Sequence, residues 1–383
     1  MEIEEIKKLY IEHKEISLFH RYITNNHIAP ILEKIAKQVQ VETVGKSVLG
    51  EQIHGLKIGT GSKRILMWSQ MHGNESTTTK AVFDLLNTFI YSKENTKHIL
   101  ESCCIYIIPI LNPDGAKAYT RVNANKIDLN RDAQVLSQPE SKVLLDVFNS
   151  FKPHFCYNLH GQRTIFSAGS KNKPATVSFL APAQDEACTI TDNRKIAMEI
   201  IATMNKFLQN EIPEQVGVYD DAFNLNCVGD TFQSKNIPTI LFEAGHYFND
   251  YAREETRSYI YYALMSSLDY IAQNDIDGIK YEPYLDIPQN EKLFYDIIIR
   301  NTKNGKPFGS NDIGIMYQER LVEEKLEFHP KVEKIADLSS FFGHKEYDAK
   351  QNVVLNENGK PLEVDNENVF VIVNNDRIAL FLK

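Results

Sequence analysis

Apolar residues dominate four short runs along the first two thirds of the chain: Ile65 to Trp68, Cys103 to Leu111, Phe155 to Leu159 and Thr239 to Phe242. Runs of that length, rich in Ile, Leu, Val and aromatics, predict buried strands. Ahead of them, Ile6, Leu9 and Tyr10, then Ile31, Leu32 and Ile35, recur at helical spacing. That period predicts a helical lead-in over residues 1–40 that packs on the domain behind it. Glu254 to Ile271 reads as the closing helix of a domain spanning 41–278. After Asn274-Asp275-Ile276-Asp277-Gly278 the texture changes to alternating runs over 284–383. Asn-Gly-Lys-Pro occurs at 304–307 and again at 358–361, and Asn374 to Arg377 joins Val369–Val373 to Ile378–Leu382. These are hairpin signals, and they predict a small C-terminal β-rich module. The chain has no internal repeat and no low-complexity tract.

Each of the four runs ends in polar chemistry. In order they are followed by His72 with Glu75, by Asn112-Pro113-Asp114-Gly115, by His160-Gly161-Gln162 and by Glu243-Ala244-Gly245-His246. Open α/β sheets bind their ligands at the carboxyl ends of strands, so the four clusters are expected to share one cleft. His72 and Glu75 are three residues apart. A histidine ending a strand and a glutamate in the next helix's first turn can face one metal, with His160 as a third ligand from another strand end. Two nitrogens, one carboxylate and an open fourth position suit a hydrolytic zinc site, one ion per chain. Between the second and third clusters, Arg121 to Asp132 is polar, lacks a helical or strand period and reads as a functional loop.

These residues carry a family resemblance. The chain resembles the zinc carboxypeptidases of the carboxypeptidase A type, the M14 metallopeptidases. The match runs through H-G-N-E at His72–Glu75, N-P-D-G at Asn112–Gly115, R-x-N-x-N-x-x-D-L-N-R at Arg121–Arg131, P-E-S at Pro139–Ser141, N-L-H-G at Asn158–Gly161 and F-E-A-G at Phe242–Gly245. Gly45 to Glu51, leading to Leu56-Lys57-Ile58-Gly59, is similar to that family's opening strands. The resemblance covers roughly residues 40 to 275. It implies a three-layer α/β/α domain with a central mixed sheet, and a reaction that cleaves the C-terminal peptide bond with a metal-activated water. It implies His72, Glu75 and His160 as zinc ligands, Glu243 as general base and Arg121 as the charge that stabilises the oxyanion. Asn130 and Arg131 would hold the substrate's free carboxylate, for which a planar guanidinium gives a paired contact. Asp114 and Asp128 are read as structural, Asp128 by orienting the loop or a ligand. Gly73 and Gly161 are read as allowing close backbone approach, and His54 and His246 as ordinary packed histidines.

The chain also departs from the pattern. Asn74 stands where the best-known branch has an arginine. Tyr219 is the tyrosine at about the distance from Glu243 where a substrate-closing tyrosine is expected, though its neighbours match poorly. The side-chain pocket would fall near Cys227 to Asp230, and no preference is legible there. H-G-N-E with D-L-N-R is likewise similar to the aspartoacylase and succinylglutamate desuccinylase branch, which would make the substrate an N-acyl amino acid. Other readings are a non-catalytic binding domain of this fold and a cysteine hydrolase using Cys156 with His160.

Composition narrows the setting. A chain of 383 residues with 43% hydrophobic content can bury one large core and a smaller one. A net charge of −9 argues against nucleic acid or an anionic membrane as partner. The start is acidic and amphipathic, no run reaches about 18 apolar residues, and five cysteines include the adjacent Cys103 and Cys104. Together these point to a cytoplasmic protein with reduced thiols. The β-rich module is expected to cap the cleft, to mediate homo-oligomers or only to stabilise the fold.

Overall fold

The computed structural model describes residues 1–305 and 311–382. The chain divides into two compact units, one formed by Met1–Gln162 with Ala175–Asn290 and the other by Arg163–Pro174 with Glu291–Lys383. In chain order the larger unit contains α1 (Ile3–His13), α2 (Asn25–Ile35), β1 (Gln40–Lys46), β2 (Gln52–Ile58), β3 (Lys63–Ser69), α3 (Thr77–Tyr91), α4 (Lys93–Ser102), β4 (Cys103–Ile108), α5 (Pro113–Ala118), α6 (Pro139–Phe151) and β5 (Phe155–Gly161). After the short β6 (Phe166–Ala168) of the smaller unit it resumes with β7 (Val177–Leu180), α7 (Asp192–Leu208), β8 (Val216–Val218), α8 (Val228–Ser234), β9 (Thr239–Ala244) and α9 (Glu254–Gln273).

Its eight strands form one mixed sheet in the order β1-β2-β4-β3-β5-β9-β7-β8. β4, β3, β5 and β9, which are the four apolar runs, lie side by side and parallel. Successive side chains on a strand point to opposite faces, and the sequence uses both. Ile65, Met67, Ile105, Ile107, Tyr157 and Leu159 join one buried cluster, with α1, α2, α3, α7 and α9. Leu66, Trp68, Tyr106, Ile108 and Cys156 join another, with α6 and α8. The result is the three-layer α/β/α arrangement with a mixed sheet. The lead-in is integral to it, since Ile6, Leu9, Tyr10, Ile31, Leu32 and Ile35 are all buried in the first cluster. No helix among the described residues is long and apolar enough to cross a membrane.

That cluster encloses a charged group. The fully buried Arg257 donates to Asp84 at 2.7 and 2.6 Å and to the carbonyls of Leu18 and Glu15. Beside it the buried Lys80 Nζ donates to Glu254 Oε1 at 2.5 Å. These pairs tie α3 and α9 to the segment after α1, and each charge is matched, as burial requires.

The main segment of the smaller unit begins at Glu291, seven residues after the 284 expected from the alternation, and Glu282–Asp286 forms a 3-10 turn within the larger unit. It contains β10 (Asn290–Lys292), β11 (Phe294–Thr302), β12 (Asn311–Val322), β13 (Lys325–Ala336), β14 (Phe342–Asp348), β15 (Val354–Leu355), β16 (Phe370–Val373) and β17 (Asp376–Ala379). Four form a sheet in the order β13-β12-β11-β14 and three another, β15-β16-β17, while β6 pairs with β10. The turn expected at 374–377 is tighter than that span, since Val373 pairs with Asp376 and only Asn374 and Asn375 lie between. Both have positive φ, 50° and 67°, which asparagine tolerates. Lys306 and Pro307 of the turn expected at 304–307 lie outside the described residues.

Candidate metal centre and active site

The carboxyl ends of β3, β5 and β9 supply the site. β3 ends at Ser69, and Gln70 to Ser76 form a tight loop before α3. Glu75 is therefore not in the helix's first turn, as the spacing suggested. A turn closed by Glu75 N–H donating to His72 O at 3.1 Å sets the two side chains together instead. Gly73 makes the loop possible, because a Cβ there would lie 1.9 Å from the backbone carbonyl carbon of Gly115. Gly161 differs from expectation: a Cβ there would meet Glu75 side-chain atoms at 3.5 Å and the Ala244 carbonyl oxygen at 3.6 Å, all ordinary contacts. What Gly161 contributes is its N–H, which donates to Glu75 Oε2 at 3.0 Å.

His72, Glu75 and His160 converge, with one ligand atom from each within 4.8 Å of the others. His72 Nδ1 stands 2.9 Å from Glu75 Oε1, His160 Nδ1 3.0 Å from Glu75 Oε2, and the two Nδ1 atoms 3.1 Å apart. On the far side of its ring His72 Nε2 donates to Asp128 Oδ1 at 3.0 Å. A carboxylate only accepts, so this bond puts the neutral ring's proton on Nε2 and leaves Nδ1 bare. His72 Nδ1 then aims a lone pair into the gap that His160 Nδ1 and the Glu75 carboxylate also face, a donor set that a cation would suit. Ligand atoms around a tetrahedral zinc at about 2.1 Å stand roughly 3.4 Å apart, and the observed separations are close to that. The donor set therefore fits zinc.

The electrostatics follow from burial and charge. Burial alone would raise the Glu75 carboxyl, but His72 and His160 hold it well below the usual range. Asp128 is likewise held low against its burial by His72 and then Arg121. Glu243 goes the other way, pushed well up by burial and then by the charge of Glu75. It stands opposite His160 in the β5–β9 register, and its Oε2 is buried with no hydrogen-bond partner. Buried orphan oxygens are rare in native proteins and mark a group awaiting a ligand or water.

Arg121 is half exposed, donates from Nε to Asp128 Oδ2 at 3.0 Å and brings Nη1 to 3.5 Å from Glu75 Oε1. Asn130 and Arg131 sit on a 3-10 turn, Leu129–Arg131, capped by Asp128 through the Asn130 N–H. Asn130 Oδ1 accepts from Val228 N at the start of α8, which leaves Nδ2 as the donor end of the amide. Arg131 Nη1 donates to Asn130 O at 2.8 Å. Tyr219 follows β8, and its hydroxyl donates to Gln162 Oε1 at 2.6 Å. Asp114, in the turn at the start of α5, accepts from Ser47 Oγ and Leu49 N–H. His246 packs against Tyr251, and His54 lies on β2, between the edge strand β1 and β4. Burial pushes the Cys156 thiol well above its ordinary value, so it is no ready nucleophile. Gln162 and Asp128 tie the site together more than their residue types announce. Gln162 is a neutral amide just past a histidine, and only its distant partners disclose its place.

Residues 24–158 match the family described as zinc carboxypeptidase, peptidase M14. Carboxypeptidase 2 of Trichophyton rubrum is 29% identical over 101 residues, covering 26% of this chain and 19% of that protein. Carboxypeptidase M of Mus musculus is 26% identical over 181 residues, 39% of this chain and 41% of that protein. The chain thus matches less than half the length of either relative. Among solved structures, carboxypeptidase A from Helicoverpa armigera superposes with a TM-score of 0.53 at 17% identity, over 70% of this chain and 80% of that one. The metallo-carboxypeptidase from Burkholderia cenocepacia gives 0.51 at 16% identity, over 65% and 70%. At those identities the structures carry the fold alone. The six motifs, the match of residues 24–158 to the M14 zinc carboxypeptidase family and the carboxypeptidase fold of the larger unit all place this chain's likeness with that family.

Proposed function

We propose that this protein is a zinc-dependent carboxypeptidase that releases single residues from peptides with a free terminal carboxylate. The observation that carries this reading is the convergence of His72 Nδ1, His160 Nδ1 and the Glu75 carboxylate beside a buried, unpartnered Glu243 oxygen. Zinc bound there would supply a Lewis acid that acidifies water and polarises the scissile carbonyl. Glu243 Oε2 would take the proton of the attacking water and later hand it to the leaving nitrogen. Burial and the charge of Glu75 raise its proton affinity, which suits a group that takes up and passes on a proton. Arg121, oriented by Asp128, would face the negative charge that grows on the substrate oxygen. Asn130 Nδ2 and the Arg131 guanidinium would hold the terminal carboxylate and fix the cut one residue from the end. The carboxypeptidase relatives favour a peptide over an N-acyl amino acid as substrate. The five free cysteines suit a reducing compartment.

The role of Glu243 is tested by Glu243→Gln, which keeps the shape and removes the base. Turnover should fall by several orders of magnitude while the protein still binds one zinc per chain; near-normal turnover would refute the assignment.

A further inference from the structure

Pro139-Glu140-Ser141, one of the six motifs, takes no part in the proposed chemistry, yet Glu140 is fully buried at the start of α6. Its Oε1 accepts from Val48 N–H at 3.1 Å, in the turn between β1 and β2, and its Oε2 from Asn123 Nδ2 at 3.2 Å. Burial pushes its carboxyl above the usual range, against the pull of these N–H donors. A buried carboxylate is costly unless donors match it, and here the donors come from two loops, which it fastens to the helix.

Asn123 is the hub of that fastening. It is buried, and its Oδ1 accepts from Asn125 N–H and Ile127 N–H, both at 3.1 Å. Its Nδ2 donates to Gln138 Oε1 at 2.8 Å as well as to Glu140. Backbone N–H groups only donate and a carboxylate only accepts, so both ends of this amide are assigned by their partners. The backbone closes the same turn, with Asn123 N–H donating to Ile127 O at 3.0 Å and Lys126 N–H to Asn123 O at 2.9 Å. Arg121 lies just before that turn and Asp128 directly after it, and the two pair at 3.0 Å.

A second pin holds the far end of the loop. Asp132, also buried, accepts from Ser137 N–H at 2.9 Å, from Ser137 Oγ at 2.7 Å and from Gln138 N–H at 2.9 Å. Gln138 joins the pins, since its Oε1 accepts from Asn123 and its Nε2 donates to Ser137 Oγ at 2.8 Å. The loop is thus fixed to the start of α6 at Asn123, near Arg121, and at Asp132, next to Arg131.

We propose that Glu140 is a positioning residue that acts through Asn123 on Arg121, and so on turnover, while Asp132 acts on Arg131, and so on substrate affinity. The effects on turnover and affinity rest on the carboxypeptidase reading; the two pins do not.

Hydrogen exchange read by mass spectrometry tests the Glu140 pin without substrate. In the wild type the amides of Asn125 and Ile127 should be protected although Ile127 is 37% exposed, because Asn123 Oδ1 holds both. Exchange there at the rate of an open chain would overturn the pin without any variant. Glu140→Gln keeps the shape but turns one oxygen into an NH2 group, which then faces Asn123 Nδ2 or Val48 N–H, donor against donor. Peptides over 121–127 should exchange faster in that variant, with β3 and β5 unchanged as the report of an intact fold. Unchanged exchange over 121–127 in the folded variant would overturn the proposal.

Kinetics on a peptide that the wild type trims test the division between the pins. Glu140→Gln should lower kcat by about tenfold, the worth of roughly one hydrogen bond, with KM held within about twofold. Asp132→Asn should do the reverse, raising KM about tenfold with kcat held within about twofold. Asn123→Ala, which leaves α6 intact, should repeat the kcat loss and serves where Glu140→Gln does not fold. In an Arg121→Ala background Glu140→Gln should cost no more than about twofold, since the group it positions is gone. A full tenfold loss in that background, or a loss carried by KM in Glu140→Gln or Asn123→Ala, would overturn the proposal. If the wild type trims no peptide, the function fails while hydrogen exchange still decides the pin.

Discussion

His72 Nε2 donates to Asp128 Oδ1 at 3.0 Å, joining residues 56 positions apart in the chain. The same carboxylate accepts from Arg121 Nε and from Asn130 N–H, so one aspartate orients His72, Arg121 and the turn bearing Asn130 and Arg131, the residues proposed to hold zinc, the oxyanion and the substrate carboxylate. Partners of this kind fix the tautomer of a ligating histidine and are worth about 10 to 100-fold in metal affinity. Asp128→Ala should lose zinc to a competing chelator at a 10 to 100-fold lower concentration, with the far-UV spectrum unchanged. Equal retention in both proteins would show that His72 does not depend on Asp128.

Gly73→Ala should be harmful for a purely steric reason. A methyl 1.9 Å from the Gly115 carbonyl carbon meets backbone, which cannot rotate away. The cost should be about 1–3 kcal/mol in denaturant unfolding, with weakened zinc binding because the turn that pairs His72 with Glu75 must shift. Gly161→Ala is the contrast: its Cβ meets ordinary contacts at 3.5 Å and should be tolerated. Equal stability of the two variants would contradict this account of the loop.

Glu254 carries a pH-dependent share of stability. Burial opposes its ionisation, but Lys80 first and then Lys14 hold its carboxyl down to about 2 from an ordinary 4.5. A carboxyl depressed on folding stabilises fully above pH 4.5, and that contribution is lost as pH falls toward 2. Discounted for its partial contact with water, it should be worth about 1 to 2 kcal/mol at neutral pH. Glu254→Gln should therefore be less stable than wild type at pH 7, with a gap that narrows by pH 3. A gap that stays constant between those pH values would remove the ion pair from the account.

The legible parts of the sequence were those whose signal is local. β3, β4, β5 and β9 are buried on both faces, so their residues form continuous apolar runs. The convergence of His72, Glu75 and His160 was legible because each follows the carboxyl end of an apolar run. Spacing alone could not say that a turn, rather than a helix, pairs His72 with Glu75, since three residues separate them in either case. In the smaller unit the β16–β17 turn announces itself through Asn374 and Asn375. The longer β12–β13 hairpin turns at Glu323 and Glu324, with φ of 47° and 62°, residues that do not advertise a positive-φ turn. The excursion Arg163–Pro174, which leaves just after Gln162, carries no pattern that assigns it to a unit 117 residues further along at Glu291 to Lys383 in part. Gln162 itself was unreadable because its meaning lies in Ser178, Tyr219 and Asn290, all distant in sequence.

The central claim is tested most directly by mass spectrometry of a mixed pool incubated with the zinc-loaded protein and with a chelated control. The pool should hold peptides with free C-termini, the same peptides amidated, and N-acyl amino acids. Zinc-dependent loss of single residues from free C-termini, with amidated partners spared, is the result this site predicts. Deacylation of the amino acids without peptide trimming would contradict it, and so would trimming that survives removal of the metal.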